Sequence, residues 1–405
     1  MVQQQFVILG GGLAGATAAG QLRESGFEGQ IHLFAGENHD PYIRPPLSKE
    51  YFSGGAERDS IFVHPAKWYR EHGIILATGQ TATTLEDHSV TLESGRTVPF
   101  DRLLLATGSA PRQLDIPGAR SHGIHYLRTV EDSENLRSAL SGGGREVVFV
   151  GSGWIGLELA AAARGYGNTV TVVGPEKVPL ARPLGEELGT LFQRVHESHG
   201  VLFRLETSVV GFEQSGTSVT GVVTDRGVIP ADLVVVGIGA IPNTSLAEAA
   251  GLEVDNGIVV DEHLATSMAD VFAAGDVANA YHPVIRKRMR NEHWATAIAG
   301  GTVAARSMLG EPAVLDAIPY FYTDQYDLGM EYSGYPPLTD TARIVYRGDR
   351  DKREFIAFWI AGGMVVAGMN VNVWDVNDQV QQLIRSGRAV DEAKLIDSTV
   401  ELTAL

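Results

Sequence analysis

The chain has 405 residues, 44% hydrophobic and 20% charged, an ordinary globular composition that is too long for one core, so two or three domains are expected. A formal net charge of −17 argues against nucleic acid or an anionic membrane as a general partner, and the lack of cysteine excludes disulfides, iron–sulfur ligation, thiolate metal sites and any relay through a protein dithiol. The longest apolar run, residues 233–241, is short and broken by glycine, and the N-terminus enters a strand at once, so neither a membrane span nor a leader is expected and a cytoplasmic location follows.

Phe6-Val7-Ile8-Leu9 reads as a buried parallel strand, and it runs into Gly10-x-Gly12-x-x-Gly15 at the mouth of a helix that includes Leu13 and Ala14. This is a dinucleotide fingerprint. Gly10 permits the tight turn, Gly12 lets backbone approach a pyrophosphate, and Gly15 packs helix on strand. A second strand at 31–34 delivers Glu37, where a carboxylate can accept hydrogen bonds from an adenosine ribose.

Between this stretch and its repeat the elements are mixed. In residues 39–49 the pair Pro45-Pro46 should stop any helix, with a helix-compatible pattern resuming at Leu47 and Ser48 near its start; on these residues alone Arg44 and Lys49 read as solvated charges. Residues 61–73 look helical and 81–100 alternate like a β-meander. A strand at 102–106 enters Ala106-Thr107-Gly108, and 124–140 carry Leu127-Arg128-Thr129 and a charged helix that ends at Gly142-Gly143-Gly144.

The fingerprint then recurs as strand 147–150, Gly151-x-Gly153-x-x-Gly156 enclosing Trp154 and Ile155, strand 170–173 and Glu176. Residues 6–26 align without a gap on 147–167, and a two-residue shortening sets Glu176 opposite Glu37. Two nucleotide sites in one chain suggest an electron relay. Helices are expected at 156–163 and 184–199, and a buried strand at 232–239 leads through Gly239 and Ala240-Ile241-Pro242-Asn243 back to the first domain.

A strand at 271–274 precedes Gly275-Asp276, with Val277-Ala278 opening a helix. Arg286, Lys287, Arg288 and Arg290 then form a basic cluster ahead of Glu292-His293-Trp294, either a docking patch for an acidic protein or a solvated face. From about 316 the character changes to a meander at 344–346, 354–360 and 364–369 and a helix at 376–386.

The combination of PYIRPPLSK, the two fingerprints, Ala106-Thr107-Gly108 and Ala274-Gly275-Asp276 resembles the FAD-dependent ferredoxin reductases of putidaredoxin reductase type, which include rhodocoxin and rubredoxin reductases and the reductases of aromatic-ring dioxygenases. The resemblance implies an α/β fold with two Rossmann-like nucleotide-binding domains in a glutathione-reductase-like architecture and a C-terminal α+β domain. FAD would occupy 1–111 with 234–316, the nicotinamide nucleotide 112–233, and the C-terminal domain 317–405.

In that resemblance Lys49 lies beside the flavin's reactive edge and pairs with Glu158 of GSGWIGLE. A cation there would stabilise charge on the reduced ring, and the carboxylate would keep the lysine protonated and position the nicotinamide carboxamide. FAD would further contact Gly10, Gly12, Leu13, Ala14, Gly15, Glu37, Arg44, Pro45, Ala106, Thr107, Gly108, Arg112, Arg128, Asp276 on the ribityl chain, Val277, Glu292, His293, Trp294 and Tyr322, the last standing where tryptophan is usual. The nicotinamide nucleotide would contact Gly151, Gly153, Trp154, Ile155, Gly156, Glu158, Glu176 and Gly239.

Gly174 stands where NADH-specific relatives often keep a carboxylate, yet Glu176 is near and Lys177 is the only close cation, so NADH is favoured over NADPH. The expected activity is hydride transfer from NAD(P)H to non-covalently held FAD, then single-electron delivery to an acidic iron–sulfur ferredoxin that feeds a monooxygenase or ring-hydroxylating dioxygenase. A reductase of a small acceptor, of quinone or monodehydroascorbate type, and a redox sensor resembling apoptosis-inducing factor are the alternatives. No metal site is expected, and monomer and homodimer both stay open.

Overall fold

The structure, a computed structural model, describes residues 4–405. The two apolar runs that follow the sequence repeat form equivalent central strands, Gln5–Leu9 and Glu146–Val150, each buried on both faces as a parallel strand under helices must be. Each feeds a helix, Leu13–Glu24 and Trp154–Gly165, and each is flanked by a parallel partner, Gln30–Phe34 and Thr169–Val173. The offset between copies persists down to single hydrogen bonds. Gly10 N donates to Phe34 O, and Gly151 N to Val173 O, both at 2.8 Å.

The first parallel sheet runs in the order Val271–Ala273, Arg102–Leu105, Gln5–Leu9, Gln30–Phe34, Ile74–Ala77, and the second in the order Val201–Arg204, Thr169–Val173, Glu146–Val150, Leu233–Val236, Ile124–His125. Leu233–Val236 therefore belongs to the second sheet, and a boundary at 233/234 cuts through it. The chain crosses between domains in a two-stranded ribbon, Ser109–Pro111 against Ala240–Pro242, where Asn243 Nδ2 also donates to Thr107 O at 2.8 Å.

The C-terminal domain is a five-stranded antiparallel sheet ordered Tyr320–Gln325, Leu328–Gly334, Met364–Val371, Glu354–Ala361, Arg343–Asp349, with the helix Asn377–Ser386 against it. Its core is continuous with that of the second nucleotide domain. Leu328, Met330 and Trp359 share one buried cluster with Phe149, Leu157 and Phe192.

Several local expectations are corrected. The prolines of 45–46 do not stop a helix but start one: Pro45–Ser48 is a 3₁₀ turn with both rings in its first positions, where a missing N–H costs nothing. The helix expected over 61–73 shrinks to Ala66–Glu71, because Pro65 caps it and cannot sit inside it. After Asp276 comes a strand, Ala278–His282, sandwiched between Ile258–Val260 and Lys287–Arg290; paired neighbours override the helical pattern. The helices at 156–163 and 184–199 are Trp154–Gly165 and Ala181–Ser198, the latter broken at Gly185 (φ 80°).

Candidate functional site

The glycine turns show which positions carry fold and which face a ligand. A Cβ on Gly10 would lie 2.0 Å from Ala106 O, and one on Gly15 would lie 2.0 Å from Gly10 O, so both are closed by the neighbouring backbone. Gly12 and Gly153 have nothing within 4 Å along that direction. They open on a cleft of about 1570 Å³ that both nucleotide domains and the C-terminal sheet line. Single-ligand pockets run to about 1,000 Å³, so this volume has room for two dinucleotides end to end.

Most of the expected contacts meet in this cleft. Its lining includes Gly10, Gly12, Leu13, Ala14, Glu37, Arg44, Pro45, Lys49, Ala106, Thr107, Gly108, Arg128, Asp276, Glu292, His293, Trp294 and Tyr322 from the expected flavin set, and Gly153, Trp154, Ile155, Gly156, Glu158 and Gly239 from the expected nicotinamide set. Gly15, Gly151, Val277 and Glu176 do not line it. Gly15 and Gly151 are closed against backbone, Val277 is fully buried, and Glu176 is exposed in the loop after Val173, where its Oε2 accepts from Ser152 Oγ at 3.3 Å. Arg112 is exposed and does not itself line the cleft, although Pro111 and Gln113 on either side do; its N–H donates to Gly239 O.

At one end Glu37 accepts from Arg44 Nη2 at 2.7 Å and from the Tyr42 hydroxyl. In the middle Asp276 Oδ2 accepts from Ser109 Oγ and Arg128 Nη2, both at 2.9 Å. Burial and the neighbouring Arg44 hold Arg128 below the usual guanidinium value. Arg128 Nε, Arg290 Nε and His293 Nδ1 are buried without a hydrogen-bond partner among the described residues. The two orphaned guanidinium N–H donors beside an open cleft fit an acceptor-rich ligand such as a dinucleotide. Burial pushes His293 down to about 4, against the opposing pull of Asp276, so the ring is neutral at pH 7.

At the junction of the domains Lys49 Nζ lies 2.6 Å from Glu158 Oε1. The lysine comes from the loop after the 3₁₀ turn, and Glu158 sits on the second fingerprint helix, four residues after Trp154 and so on the same face. That face docks on the strand Tyr320–Gln325: Trp154 stacks edge-on with Phe321 at 5.0 Å, and Thr323 Oγ1 donates to Glu158 Oε1 at 2.6 Å. Ser48 Oγ donates to the other carboxylate oxygen. Lys49 Nζ also stands 5.5 Å from the centre of the Tyr322 ring, a cation–π distance. Glu158 is thus no surface charge, and it gathers three donors from two remote segments of chain.

Sequence reasoning gave Ser48 and Ser109 no part in the site, and within 319–326, which resembles the family's flavin-facing motif, it assigned a contact to Tyr322 and none to Phe321 or Thr323. Alternation along Tyr320–Gln325 carried a usable signal, because side chains two apart share a face. The basic cluster divides. Arg290 is held by Glu292 and by Asp276 O at 3.2 Å, Arg288 Nη1 donates to Val260 O at 2.6 Å, and both line the cleft; Arg286 and Lys287 are exposed outside it. Among the described residues no helix is long and apolar enough to cross a membrane, and no cluster could hold a metal ion.

Comparison with known proteins agrees with this layout. The family described as pyridine nucleotide-disulphide oxidoreductase matches residues 4–301, and a reductase C-terminal family matches 320–405. The anthranilate 1,2-dioxygenase system ferredoxin–NAD(+) reductase component of Burkholderia cepacia is 38% identical, covering 99% of each chain. A probable ferredoxin reductase, CtmF, of Castellaniella defragrans is 37% identical over 99% of this chain and 98% of its own. The crystal structure of the covalent putidaredoxin reductase–putidaredoxin complex superposes with a TM-score of 0.94 at 36% identity, covering 98% of this chain and 97% of that one.

Duplicated glycine turns, one shared cleft, a reductase C-terminal sheet and these likenesses agree: the chain is an oxidoreductase that belongs to the pyridine nucleotide-disulphide oxidoreductase family, in its ferredoxin reductase branch, and with no cysteine it works without the disulphide of the family's name.

Proposed function

We propose that the protein takes a hydride from NADH onto non-covalently bound FAD and passes the electrons singly to an acidic iron–sulfur ferredoxin of a monooxygenase or ring-hydroxylating dioxygenase system in the cytoplasm. The observation that carries this reading is the buried Lys49–Glu158 pair between two dinucleotide turns that open on one cleft. FAD, when bound, supplies the conversion of a two-electron donor into a one-electron donor.

The residues have separable tasks. The first fingerprint with Glu37, Arg128 and Asp276 would hold the flavin nucleotide, and the second with Gly239 the nicotinamide nucleotide. Lys49 would place positive charge where negative charge develops, in a site screened from water. Glu158 would hold Lys49 and accept from the nicotinamide carboxamide. Ile155, 50% exposed at the first turn of its helix, offers an apolar surface for the nicotinamide face. Preference for NADH rests on Glu176 and on the engagement of Lys177 by Glu186 at 3.2 Å, which leaves no free arginine or lysine immediately after Val173 for a 2′-phosphate.

Stopped-flow reduction of the FAD-loaded protein by NADH and by NADPH, followed by mixing with ferredoxins, tests the reading. Fast bleaching with NADH and fast ferredoxin reduction are expected. A protein that took up no FAD, or that reduced quinones rapidly and ferredoxins not at all, would reject it.

A further inference from the structure

Glu158 is the end of a longer chain of hydrogen bonds. Thr323 and Gln325 share the inner face of the strand Tyr320–Gln325, each only 1% exposed. Gln325 Nε2 donates to Thr323 Oγ1 at 3.2 Å, and Thr323 Oγ1 donates to Glu158 Oε1 at 2.6 Å. The amide's oxygen stands 2.7 Å from His196 Nε2, on the helix Ala181–Ser198. An amide oxygen only accepts, so Nε2 carries the hydrogen and Nδ1 does not. Every donor in the array points toward the carboxylate.

The surroundings keep His196 in that form. It is fully buried, with Tyr326 at 5.1 Å and Phe203 at 6.2 Å edge-on to its ring, and its Nδ1 has no partner among the described residues. Burial pushes its pKa down to about 4, so the ring is neutral over the working range. The direction of the amide matters because a threonine hydroxyl has one hydrogen. Were Gln325 reversed, its oxygen would compete with Glu158 for that hydrogen.

We propose that His196, through Gln325 and Thr323, is a positioning residue that holds the Glu158 carboxylate, and with it Lys49, in one orientation beside the nicotinamide end of the cleft. The inference rests on the functional reading of the Lys49–Glu158 pair and extends it to residues that touch neither nucleotide. It also makes docking of the C-terminal sheet on the second nucleotide domain a condition for an ordered site.

The test uses the FAD-loaded protein with Thr323→Val, Thr323→Ser, Gln325→Leu and Glu158→Gln. Nitrogen-15 NMR should find His196 as the Nε2–H tautomer in the unaltered protein and as a tautomer mixture in Gln325→Leu. In stopped flow, Thr323→Val and Gln325→Leu should lower the limiting reduction rate roughly tenfold or more, as expected for loss of a hydrogen bond to a charged group, with a smaller change in NADH affinity, and Thr323→Ser should restore it. An Nδ1–H tautomer in the unaltered protein overturns the proposal even if a variant fails to fold. So does an unchanged rate in Thr323→Val when Glu158→Gln has lost it, in which case the role of the pair stands. A full rate in Glu158→Gln instead removes the reading of the pair and the proposal with it.

Discussion

Lys49 and Glu158 lie 109 positions apart in the chain, on different nucleotide domains, yet their charges meet at 2.6 Å with side chains only 10% and 4% exposed. Such a pair costs desolvation that only close geometry and extra donors offset, and here Ser48 and Thr323 supply those donors. Removing one partner leaves an uncompensated buried charge. Lys49→Met should destabilise the protein by about 3–5 kcal/mol. Lys49→Met with Glu158→Leu should recover much of that stability but not hydride transfer, as read by urea unfolding and stopped flow in parallel. Recovery of both would mean that the pair serves only the fold.

The first fingerprint should separate fold from binding. Gly10 has φ +126° and a Cβ there would meet Ala106 O at 2.0 Å, so Gly10→Ala should yield little folded protein. Gly12 has an ordinary φ of −84° and open space along its Cβ direction, so Gly12→Ala should fold with a normal unfolding midpoint and retain FAD poorly. Circular dichroism and the ratio of flavin to protein absorbance check the two halves. Equal FAD content in Gly12→Ala and the parent would place the flavin elsewhere.

Asp276 anchors Ser109 and Arg128 across the crossing ribbon. Asp276→Ala should leave Arg128 without its carboxylate in a site where burial already lowers its pKa, and lose roughly tenfold or more in FAD affinity. Fluorescence titration of the stripped protein with FAD measures this directly. An unaltered dissociation constant would assign Asp276 to the domain junction alone.

Acid should weaken the protein through its buried histidines. His196 titrates near 4 when folded and near 6.5 as an ordinary histidine, so between those values the unfolded chain binds more protons. Stability from this group is complete above about pH 6.5 and is lost as pH falls toward 4, by on the order of 3 kcal/mol in total, with His293 adding in the same direction. His196→Gln should flatten that limb of a stability-against-pH curve measured by denaturant. A limb identical to the parent's would show that His196 does not titrate this way.

Docking of an acidic ferredoxin should depend on Arg286 and Lys287, which are exposed outside the cleft, more than on Arg288 and Arg290, whose guanidinium groups hold backbone carbonyls. Arg286→Ala with Lys287→Ala should slow ferredoxin reduction several-fold at low salt and converge with the parent as salt screens the charges. Equal rates at low salt would move the docking face elsewhere.

The residues that define local backbone were readable before any fold was known. Gly10-x-Gly12-x-x-Gly15 and its copy at Gly151 through Gly156 specify strand, tight turn and helix within a few positions, because their constraints are steric and short in range. The Lys49–Glu158 assignment came from family likeness, since nothing in the spacing of those residues brings them together. What tertiary contact alone decided lies where segments far apart in sequence share a buried face. Val277-Ala278 enters a strand because two neighbours offer hydrogen bonds, and the prolines at 45 and 46 open a turn that packs under Val130. Thr323, Gln325 and His196 became recognisable only when a C-terminal strand docked on the second nucleotide domain, for a hydrogen bond requires partners within about 3 Å and local sequence carries no record of distances between remote segments.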